Sequence, residues 1–382
     1  LCDSEYARKP PVPIASVVMG HIKKERMRKG IYILFAVLTL LSCTDKNKQL
    51  TGTWIEKDNF RNPVIFKFTE DSFQVFEGKY LVNSKIYLLK KDTFISQNYN
   101  EIRRSKIKLT RNILSFLDLG NDTLLSSYER GDFKNSLDYF NFKKGIKISL
   151  PTLLAEEIKE IQNVNSIYID SQNNIYFNGT KSTIKNLSNH LKPNAEFERI
   201  YTCIYCDKTV SFSKLQEVKS ELIKTQYHLV TYITQSGENE LYGINVKLPQ
   251  PIESESILDL IAENDFENLI CFVSMNKIEL NGKRISSNEF YKQLIDKISN
   301  KKNELNLFVC FDDNLHYESY LKELYNIQSA YYSVRKEYSK IKFGDSEYEN
   351  LDDSIRSKVR EIYPMRFAEI NEDTYKRLKY AP

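Results

Sequence analysis

The spacing of apolar residues divides the chain into parts with different predicted structures. Residues 31–41 form one apolar run, IYILFAVLTLL. Between residues 50 and 142 the apolar residues come in short β-branched and aromatic runs, such as VIFKF, SFQVF, KIKLT and ILSFLDL, with Asn, Asp and Gly between them. Such runs are typical of short consecutive strands, so we expect a small all-β barrel or sandwich at 50–142.

After residue 145 the pattern predicts strands that alternate with helices. SIYID, RIYTCIYCD and HLVTYIT are short runs typical of buried strands. Between them, STIKNLSNHL and SFSKLQEVKSELIK place apolar residues at helical spacing. The predicted fold class is therefore mixed α+β and multi-domain, with the β domain followed by α/β domains.

The α/β pattern occurs twice. GIKISLP begins at Gly145 and GINVKLP at Gly243, and the predicted elements after them follow in the same order. The offset between equivalent residues grows from 98 to 103 to 105 for the pairs Pro151 and Pro249, Gly179 and Gly282, and Asp207 and Asp312. A constant order with a slowly growing offset predicts a duplicated domain at 145–235 and 243–370, with a tail at 371–382. Each GI-x-(I/V)-x-LP stretch is the predicted first strand of its copy.

The net charge of +4 comes from the N-terminal segment. Residues 1–42 carry seven Lys and Arg against three Asp and Glu, which leaves 48 basic and 48 acidic residues in the remainder. Proteins that bind nucleic acid usually carry a basic excess in their folded part. We therefore expect no nucleic-acid partner.

The same segment has the order of a secretory signal. A basic Met27-Arg28-Lys29 precedes the apolar run, which suits a signal-peptide core and is short for a membrane span. The run ends in LLSC, which resembles the lipobox of bacterial lipoproteins and implies that the thiol of Cys43 is lipidated. A short anchor helix with a chance Cys43 is the alternative.

The lipoprotein resemblance sets the predicted organisation before the β domain. We expect an upstream extension at 1–26, a lipoprotein signal peptide at 27–42 and a tether at 43–49. The resemblance implies a cell-envelope protein that a lipid anchor holds in the membrane outside the cytoplasm, facing the periplasm or in the outer membrane.

Two motifs of the β domain resemble those of the bacterial lipocalin-like domains. They are GTW at residues 52–54, with the only tryptophan of the chain, and YER at residues 128–130. In that family the tryptophan packs across the open barrel end near an arginine, which implies a ligand site at Trp54 and Arg130. A plain core role for Trp54 is the alternative.

The order of the repeat resembles the periplasmic domain of the ExbD/TolR biopolymer-transport proteins of Bacteroidetes type. That order is Leu-Pro, hairpin, Asn-Gly, helix, strand ending in Asp, helix and strand. The second copy also ends in YPMRFAE at residues 363–369, which is similar to the tail of that family. The positions that match the family's motifs are Pro151, Gly179, Asp207, Pro249, Gly282, Asp312, Tyr363, Pro364 and Arg366.

The ExbD/TolR resemblance implies domains that dimerise and serve transmembrane transport beside a proton-driven motor. Their implied partners are components of a TonB/Tol-type motor or peptidoglycan, and the two copies are expected to pair as a pseudo-dimer. The family's intramembrane carboxylate is missing, because no span precedes either copy and residues 31–41 contain no Asp or Glu. We therefore expect docking domains that do not conduct protons. A lipocalin-like carrier of a small apolar ligand is the alternative.

No sequence pattern predicts catalysis, a metal site or a cofactor. The four histidines lack metal-ligand spacing, and neither a phosphate-binding Gly-rich loop nor a Gly-x-Ser-x-Gly motif occurs. Cys203 and Cys206 align with Phe308 and Phe311 of the second copy, which favours a buried strand over a redox or metal site. We expect a binding protein rather than an enzyme.

Two sets of charged residues stand at strand positions. Asp207 and Asp312 end strands just before helices, so helix N-cap roles are expected for them. Arg104, Lys106 and Lys108 alternate along one predicted strand and share a face. A solvated edge strand is the expected explanation, and an anionic partner such as a lipid headgroup is the alternative.

Overall fold

The structure is a computed structural model. It describes residues 48–60, 63–77, 80–97, 102–133, 135–153, 156–157, 164–191, 201–225, 229–236, 240–248, 265–344 and 348–380. The chain forms two compact units, of which the first comprises Leu1–Lys57 and Val64–Asp132 and the second comprises Asp58–Pro63 and Phe133–Pro382. Both predicted α/β copies therefore belong to the second unit.

The first unit is a closed antiparallel barrel of eight strands. The strands are β1 (Gly52–Glu56), β2 (Val64–Phe68), β3 (Ser72–Glu77), β4 (Tyr80–Lys90), β5 (Thr93–Gln97), β6 (Ile102–Leu109), β7 (Ile113–Leu117) and β8 (Leu124–Arg130). Each pairs with its neighbour in sequence, and β1 closes the barrel against β8. The predicted β domain is thus a barrel, and it ends earlier than the predicted residue 142, because residues 133–142 belong to the second unit.

Aromatic side chains fill the inside of the barrel. The ring of Phe66 has four aromatic neighbours at centroid distances of 4.7 to 6.1 Å, namely Phe68, Phe73, Phe116 and Tyr128. The interior of an eight-stranded barrel is just wide enough for side chains to fill it. The inward face is therefore a packed core that hydrophobic burial and ring contacts stabilise.

The second unit contains two mixed sheets and the helices that cover them. The strands of the first sheet are β9 (Glu156–Glu157), β10 (Val164–Ile169), β11 (Ile175–Phe177), β12 (Thr180–Ser182), β13 (Tyr201–Cys206), β14 (Leu229–Ser236) and β15 (Glu240–Lys247). Those of the second are β16 (Glu267–Ser274), β17 (Lys277–Leu280), β18 (Lys283–Ile285), β19 (Leu305–Phe311) and β20 (Phe367–Ile370). The helices are α1 (Ser136–Lys144), α2 (Ile184–His190), α3 (Phe212–Ile223), α4 (Ser287–Lys301), α5 (Tyr317–Phe343), α6 (Asp353–Ile362) and α7 (Glu372–Lys379).

The strand order of the first sheet recurs in the second. The order β12-β11-β10-β13-β14 corresponds to β18-β17-β16-β19-β20, with antiparallel hairpins and a parallel remainder in both. The hairpins β11–β12 and β17–β18 turn at Asn178-Gly179 and at Asn281-Gly282, and all four residues have positive φ, as a type I′ turn requires. The topology is therefore duplicated within the chain.

Backbone hydrogen bonds between the two copies are reciprocal. Phe212 N donates to the carbonyl of Leu315 at 2.7 Å, and Tyr317 N donates to the carbonyl of Val210 at 2.8 Å. Under the 105-residue offset, Phe212 is equivalent to Tyr317 and Val210 to Leu315. Equivalent residues exchange equivalent contacts across a two-fold axis. The copies are therefore related by an approximate two-fold axis within one chain.

The first-strand prediction is wrong for both GI-x-(I/V)-x-LP stretches. Gly145 is the left-handed C-cap of α1 with φ of 63°, and residues 146–151 are not in a strand. Gly243 lies in β15, which pairs antiparallel with β14 and so extends the sheet of the first copy. Only residues 237–239 separate β14 from β15, and a hairpin with the preceding strand closes the shortest loop.

Two predictions for charged residues are also wrong. Ser211 and His316 are the N-caps of α3 and α5, whereas Asp207 and Asp312 precede these helices in turns. The strand β6, which carries the alternating cations, is not an edge strand, because it pairs with both β5 and β7. Closure of the barrel supplies the second partner, and no local sequence signal distinguishes a barrel from an open sheet.

Candidate functional site

A groove of about 810 Å³ lies in the second unit between the two copies. One wall is helix α3 of the first copy, with Gln216, Ser220 and Ile223 facing the groove. The other wall is strand β20 and the start of α7 in the second copy, with Ala368 and Asn371. Phe272 of β16, Cys310 of β19 and residues 311–314 also line it, so the groove runs from helix α3 across the carboxyl end of the second sheet.

Strand β20 presents its backbone to this groove, because no strand pairs with its outer side in the described part of the chain. On its inner side, the carbonyl of Arg366 accepts a hydrogen bond from Leu307 N of β19 at 2.9 Å. In a parallel ladder successive residues point their N–H and C=O groups to opposite sides. The backbone groups of Ala368 therefore face β19, and those of Phe367 and Glu369 face away from β19, along the outer edge of the sheet.

The first copy has a strand at the equivalent edge. There β15 pairs with β14 over the eight register pairs from Leu229 to Ser236. Helix α5 of the second copy flanks β15, and Gln328 Nε2 donates to the carbonyl of Asn245 at 3.2 Å. Gln328 is the equivalent of Ile223, which lines the groove. The two-fold relation thus matches the Ile223 side of the groove to the position of β15. It matches Asn371 and Glu372 of the lining to Thr234 and Gln235, which bond to the carbonyls of Leu153 and Pro151.

A buried ion pair connects the two walls of the groove. Lys219 of α3 pairs with Glu369 of β20, and their side chains are only 4% and 10% exposed. The hydroxyl of Tyr320 donates to Glu369 Oε1 at 2.7 Å. Burial and the Glu369 carboxylate raise the pKa of Tyr320 well above its ordinary value, so this hydroxyl remains a donor.

The ion pair has no counterpart in the other half. Under the 105-residue offset the equivalent of Lys219 is Leu324, and the sheet registers make Tyr232 the equivalent of Glu369. Both Leu324 and Tyr232 are buried. The charged network therefore marks the groove side of a structure that is otherwise close to symmetric.

The structure places the aspartates of the family motif in turns. Asp207 Oδ2 accepts from Ser149 N at 2.8 Å, which ties the segment before Pro151 to the end of β13. Asp312 Oδ1 accepts from Asn314 N at 2.8 Å. Both aspartates therefore satisfy nearby backbone donors and do not point together into one site.

The motif residues of the C-terminal tail direct the chain into β20. The carbonyl of Tyr363 accepts from Arg335 Nε and Nη2 at 3.0 and 2.7 Å. The carbonyl of Pro364 accepts from Arg366 N, and the Arg366 guanidinium lies 4.7 Å from the ring centre of Phe266. The tail motif thus sets the position of the strand that forms one wall of the groove.

Trp54 and Arg130, the predicted ligand residues of the barrel, lie against each other. The Arg130 guanidinium stands 4.7 Å from the Trp54 ring centre, and Trp54 Nε1 donates to the carbonyl of Leu50 at 2.7 Å. Arg130 also donates to the carbonyls of Gln49 and Thr51. The pair therefore attaches the incoming chain to one end of the barrel, and its role in ligand binding stays a prediction.

The four cysteines of the described residues are buried, free thiols. They are Cys203, Cys206, Cys271 and Cys310. Cys206 packs in the large core of the second unit. Cys203 lies on the other face of β13, and burial raises its pKa to about 12. The two sulfurs of the CxxC motif therefore diverge.

Some predicted sites fall outside the part of the chain that the structure describes, namely Cys43 and Pro249. Among the described residues, no group of three or more His, Cys, Asp and Glu side chains is placed to hold a metal ion. No described helix is long and apolar enough to cross a membrane.

Comparison with known proteins gives no relative. No family model, no curated protein and no solved structure matches the chain. The functional argument therefore depends on the sequence and on the geometry of the chain.

Sequence reasoning missed the ion pair of the groove, although one signal was present. Lys219 follows Leu215 by four residues and so falls on the apolar face of the predicted helix α3. A lysine at such a position is almost never fully buried unless it is paired. The sequence offered no indication that its partner is Glu369, which lies 150 residues later.

Proposed function

We propose that this chain is a lipid-anchored cell-envelope protein that docks a polypeptide segment of the transport machinery and does not conduct protons. The observation that carries the proposal is the outer edge of β20, which no described strand pairs, whereas its two-fold equivalent β14 pairs with the antiparallel strand β15. An extended segment of the partner adds to β20 and hydrogen-bonds to the backbone of Phe367 and Glu369. This is recognition by strand addition, in which backbone bonds supply affinity and flanking side chains supply specificity.

The resemblance to the ExbD/TolR family names the class of partner. Its members work with TonB/Tol-type motor components and peptidoglycan, and the backbone groups along β20 favour a polypeptide over a glycan. The order of signal, apolar run and Cys43 supports the lipid anchor. The absence of Asp and Glu from residues 31–41 supports the view that the chain itself carries no protons.

Site-specific photo-crosslinking in intact cells tests the docking groove. A photoreactive residue at Ser220, an exposed position on the groove wall, should crosslink to a motor or receptor-linked envelope protein. The same residue at Ser299, an exposed position of α4 outside the groove lining, is the matched control. Identical products from the two positions would contradict the proposal.

Amide hydrogen exchange gives a sharper readout once the crosslinked segment is known. A synthetic peptide of that segment should slow exchange at the Phe367 and Glu369 amides, which face away from β19 at the outer edge of β20. The Ala368 amide already bonds to β19, so its exchange should change much less. Equal protection along β20, or none, would exclude strand addition.

The anchor is tested separately by incorporation of radiolabelled palmitate. Wild-type protein should incorporate the label and the Cys43→Ala variant should not. Labelling that survives the substitution would remove the anchor from the proposal and leave the groove untouched.

The alternative function, a carrier of a small apolar ligand in the barrel, has less support. Ring contacts such as that between Phe66 and Tyr128, at 4.7 Å, occupy the interior where the ligand would bind. Native mass spectrometry of the purified full chain tests this alternative, and a bound lipid of defined mass would favour it.

A further inference from the structure

The outer surface of the barrel has a wall of one charge. Strands β4 to β7 contain six Lys and Arg residues and no Asp or Glu. Four of these cations lie on the outward face. Their neighbours along and across the strands, such as Phe94 and Ile107, point into the core, and side chains alternate between the two faces of a strand. They are Lys90, Arg104, Lys106 and Lys108, and we call them the basic face.

The cations of the basic face stand close together. Arg104, Lys106 and Lys108 alternate on β6, so neighbouring Cα atoms are about 7 Å apart. Lys90 and Lys106 both pair with Thr93 of β5, which places them two strands or about 10 Å apart. Lys106 contacts Asp122 at 2.8 Å, but exposed ion pairs of this kind contribute little and leave the cation accessible.

The basic face borders the end of the barrel at which the N-terminal segment joins. Strand β1 starts at this end, and β4 and β6 finish there, so Lys90 and Lys108 lie near it. Leu50 is buried in the barrel core, and Arg130 donates to the carbonyls on either side of it. The incoming chain is therefore attached to the barrel up to this point.

The length of the preceding segment limits how far the barrel can be from the membrane. Cys43 lies five residues before the first described residue, Lys48. Five extended residues reach about 18 Å at most. This step rests on the proposed lipidation of Cys43, and it places the barrel end beside the lipid headgroups.

We propose that the basic face binds the anionic headgroups of the bilayer that holds the anchor. Residues 43–382, which include the basic face, have 48 basic and 48 acidic residues in all. The attraction is therefore local to this wall. Each Lys or Arg close to an anionic leaflet strengthens binding roughly fivefold.

Vesicle co-sedimentation of the full chain tests the basic face. The measured quantity is the ratio of binding to vesicles with phosphatidylglycerol and to vesicles of phosphatidylcholine alone. Apolar contributions, including that of residues 31–41, act on both vesicle types and cancel in this ratio. The variant Arg104→Gln, Lys106→Gln, Lys108→Gln should lower the ratio by roughly 100-fold at low salt, because three fivefold factors are lost.

Two further variants separate charge from other effects. Arg104→Lys, Lys106→Arg, Lys108→Arg conserves the charge and should keep the wild-type ratio. Lys283→Gln, Lys292→Gln, Lys322→Gln removes three exposed lysines of the second unit and should change the ratio by less than about twofold. Fluorescence of Trp54 checks that the barrel remains folded in each variant.

The outcomes separate the basic face from the anchor. If the three-glutamine variant has the same ratio as the wild-type protein while its barrel is folded, the proposed role of the basic face is wrong. If the wild-type protein incorporates no palmitate but the three-glutamine variant still has a lowered ratio, the proposed anchor is wrong and the proposed role of the basic face stands. If the wild-type protein itself has a ratio close to one, it has no preference for anionic lipid and the proposal is wrong.

Discussion

Replacement of Lys219 by Leu should destabilise the second unit far more than replacement of both members of its ion pair. Lys219 and Glu369 are 4% and 10% exposed, so either one left alone is a buried charge without its partner. The two-fold equivalents, Leu324 and Tyr232, show which uncharged residues this environment accepts. The informative set is therefore Lys219→Leu, Glu369→Tyr and the double variant.

The expected magnitudes follow from the burial of the pair. Loss of one partner from a buried ion pair costs about 3–5 kcal/mol, whereas exchange of both for well-packed residues is often neutral. For a unit of this size, 1 kcal/mol corresponds to roughly 2–4 °C in midpoint temperature. Lys219→Leu should thus lower the midpoint by roughly 6–20 °C. The double variant should stay within a few degrees of wild type.

The chain contains its own control for this experiment. Trp54 is the only tryptophan and lies in the barrel, so its fluorescence follows unfolding of the first unit. Far-UV circular dichroism also follows the second unit. The substitutions should shift the dichroism transition and leave the tryptophan transition where it is.

Two results would refute the reasoning. Equal losses in the single and double variants would mean that the side chains contribute through packing and not through their charges. A single variant as stable as wild type would mean that water reaches the pair, contrary to its burial. A double-mutant cycle distinguishes these cases, because it isolates the coupling between the two side chains.

Three other predictions concern turns, thiols and pH. Gly179→Ala and Gly282→Ala both add a Cβ at a residue with positive φ, but only the Cβ at position 179 would lie 2.1 Å from the Phe60 ring. In thermal unfolding, the free energy of unfolding should therefore fall by about 1 kcal/mol for Gly282→Ala and by at least 2 kcal/mol for Gly179→Ala. The four described cysteines are buried, with raised pKa values, so in a chain with serine at positions 2 and 43 a thiol reagent at pH 8 should label none before denaturation and four after it. Hydrogen bonding to Lys297 lowers the pKa of Glu267, so the stabilisation is present above pH 4.5 and is lost as the pH falls through the folded-state pKa; urea midpoints of wild type and Glu267→Gln should therefore differ at pH 7 and converge in acid.

Much of the fold could be predicted because local patterns determine it. The short aromatic runs predicted the strands of the barrel, and the repeated order predicted a hairpin before each Asn-Gly pair, which the structure shows as β10–β11 and β16–β17. The apolar spacing of α3 is also a local signal, and the predicted helix is confirmed. Each of these features is decided by residues within about one turn or one strand.

The features that failed are those that distant segments decide. The strand β15 could pair with the edge strand of the first sheet or with that of the second. The alternation of apolar and polar residues along β15 does not indicate which of these two edges it pairs with. Distant segments also determine that β6 has a partner strand on both sides, and that Lys219 pairs with Glu369. The sequence therefore revealed the elements and their repetition, but not the edge that forms the groove.

The groove itself follows from joining two copies in one chain. If both copies used their GI-x-(I/V)-x-LP stretch alike, each sheet would gain one strand and β20 would be paired on both sides. In this chain β15 extends the first sheet, whereas the segment before Pro151 is bonded elsewhere, through Ser149 N to Asp207 and through the Pro151 carbonyl to Gln235 N. Within the described residues the second sheet therefore ends at β20, next to helix α3, which is placed as α5 is placed beside β15. A duplication with one strand displaced thus leaves the outer edge of β20 without a partner strand among the described residues, and this asymmetry supports docking of one extended partner segment per chain.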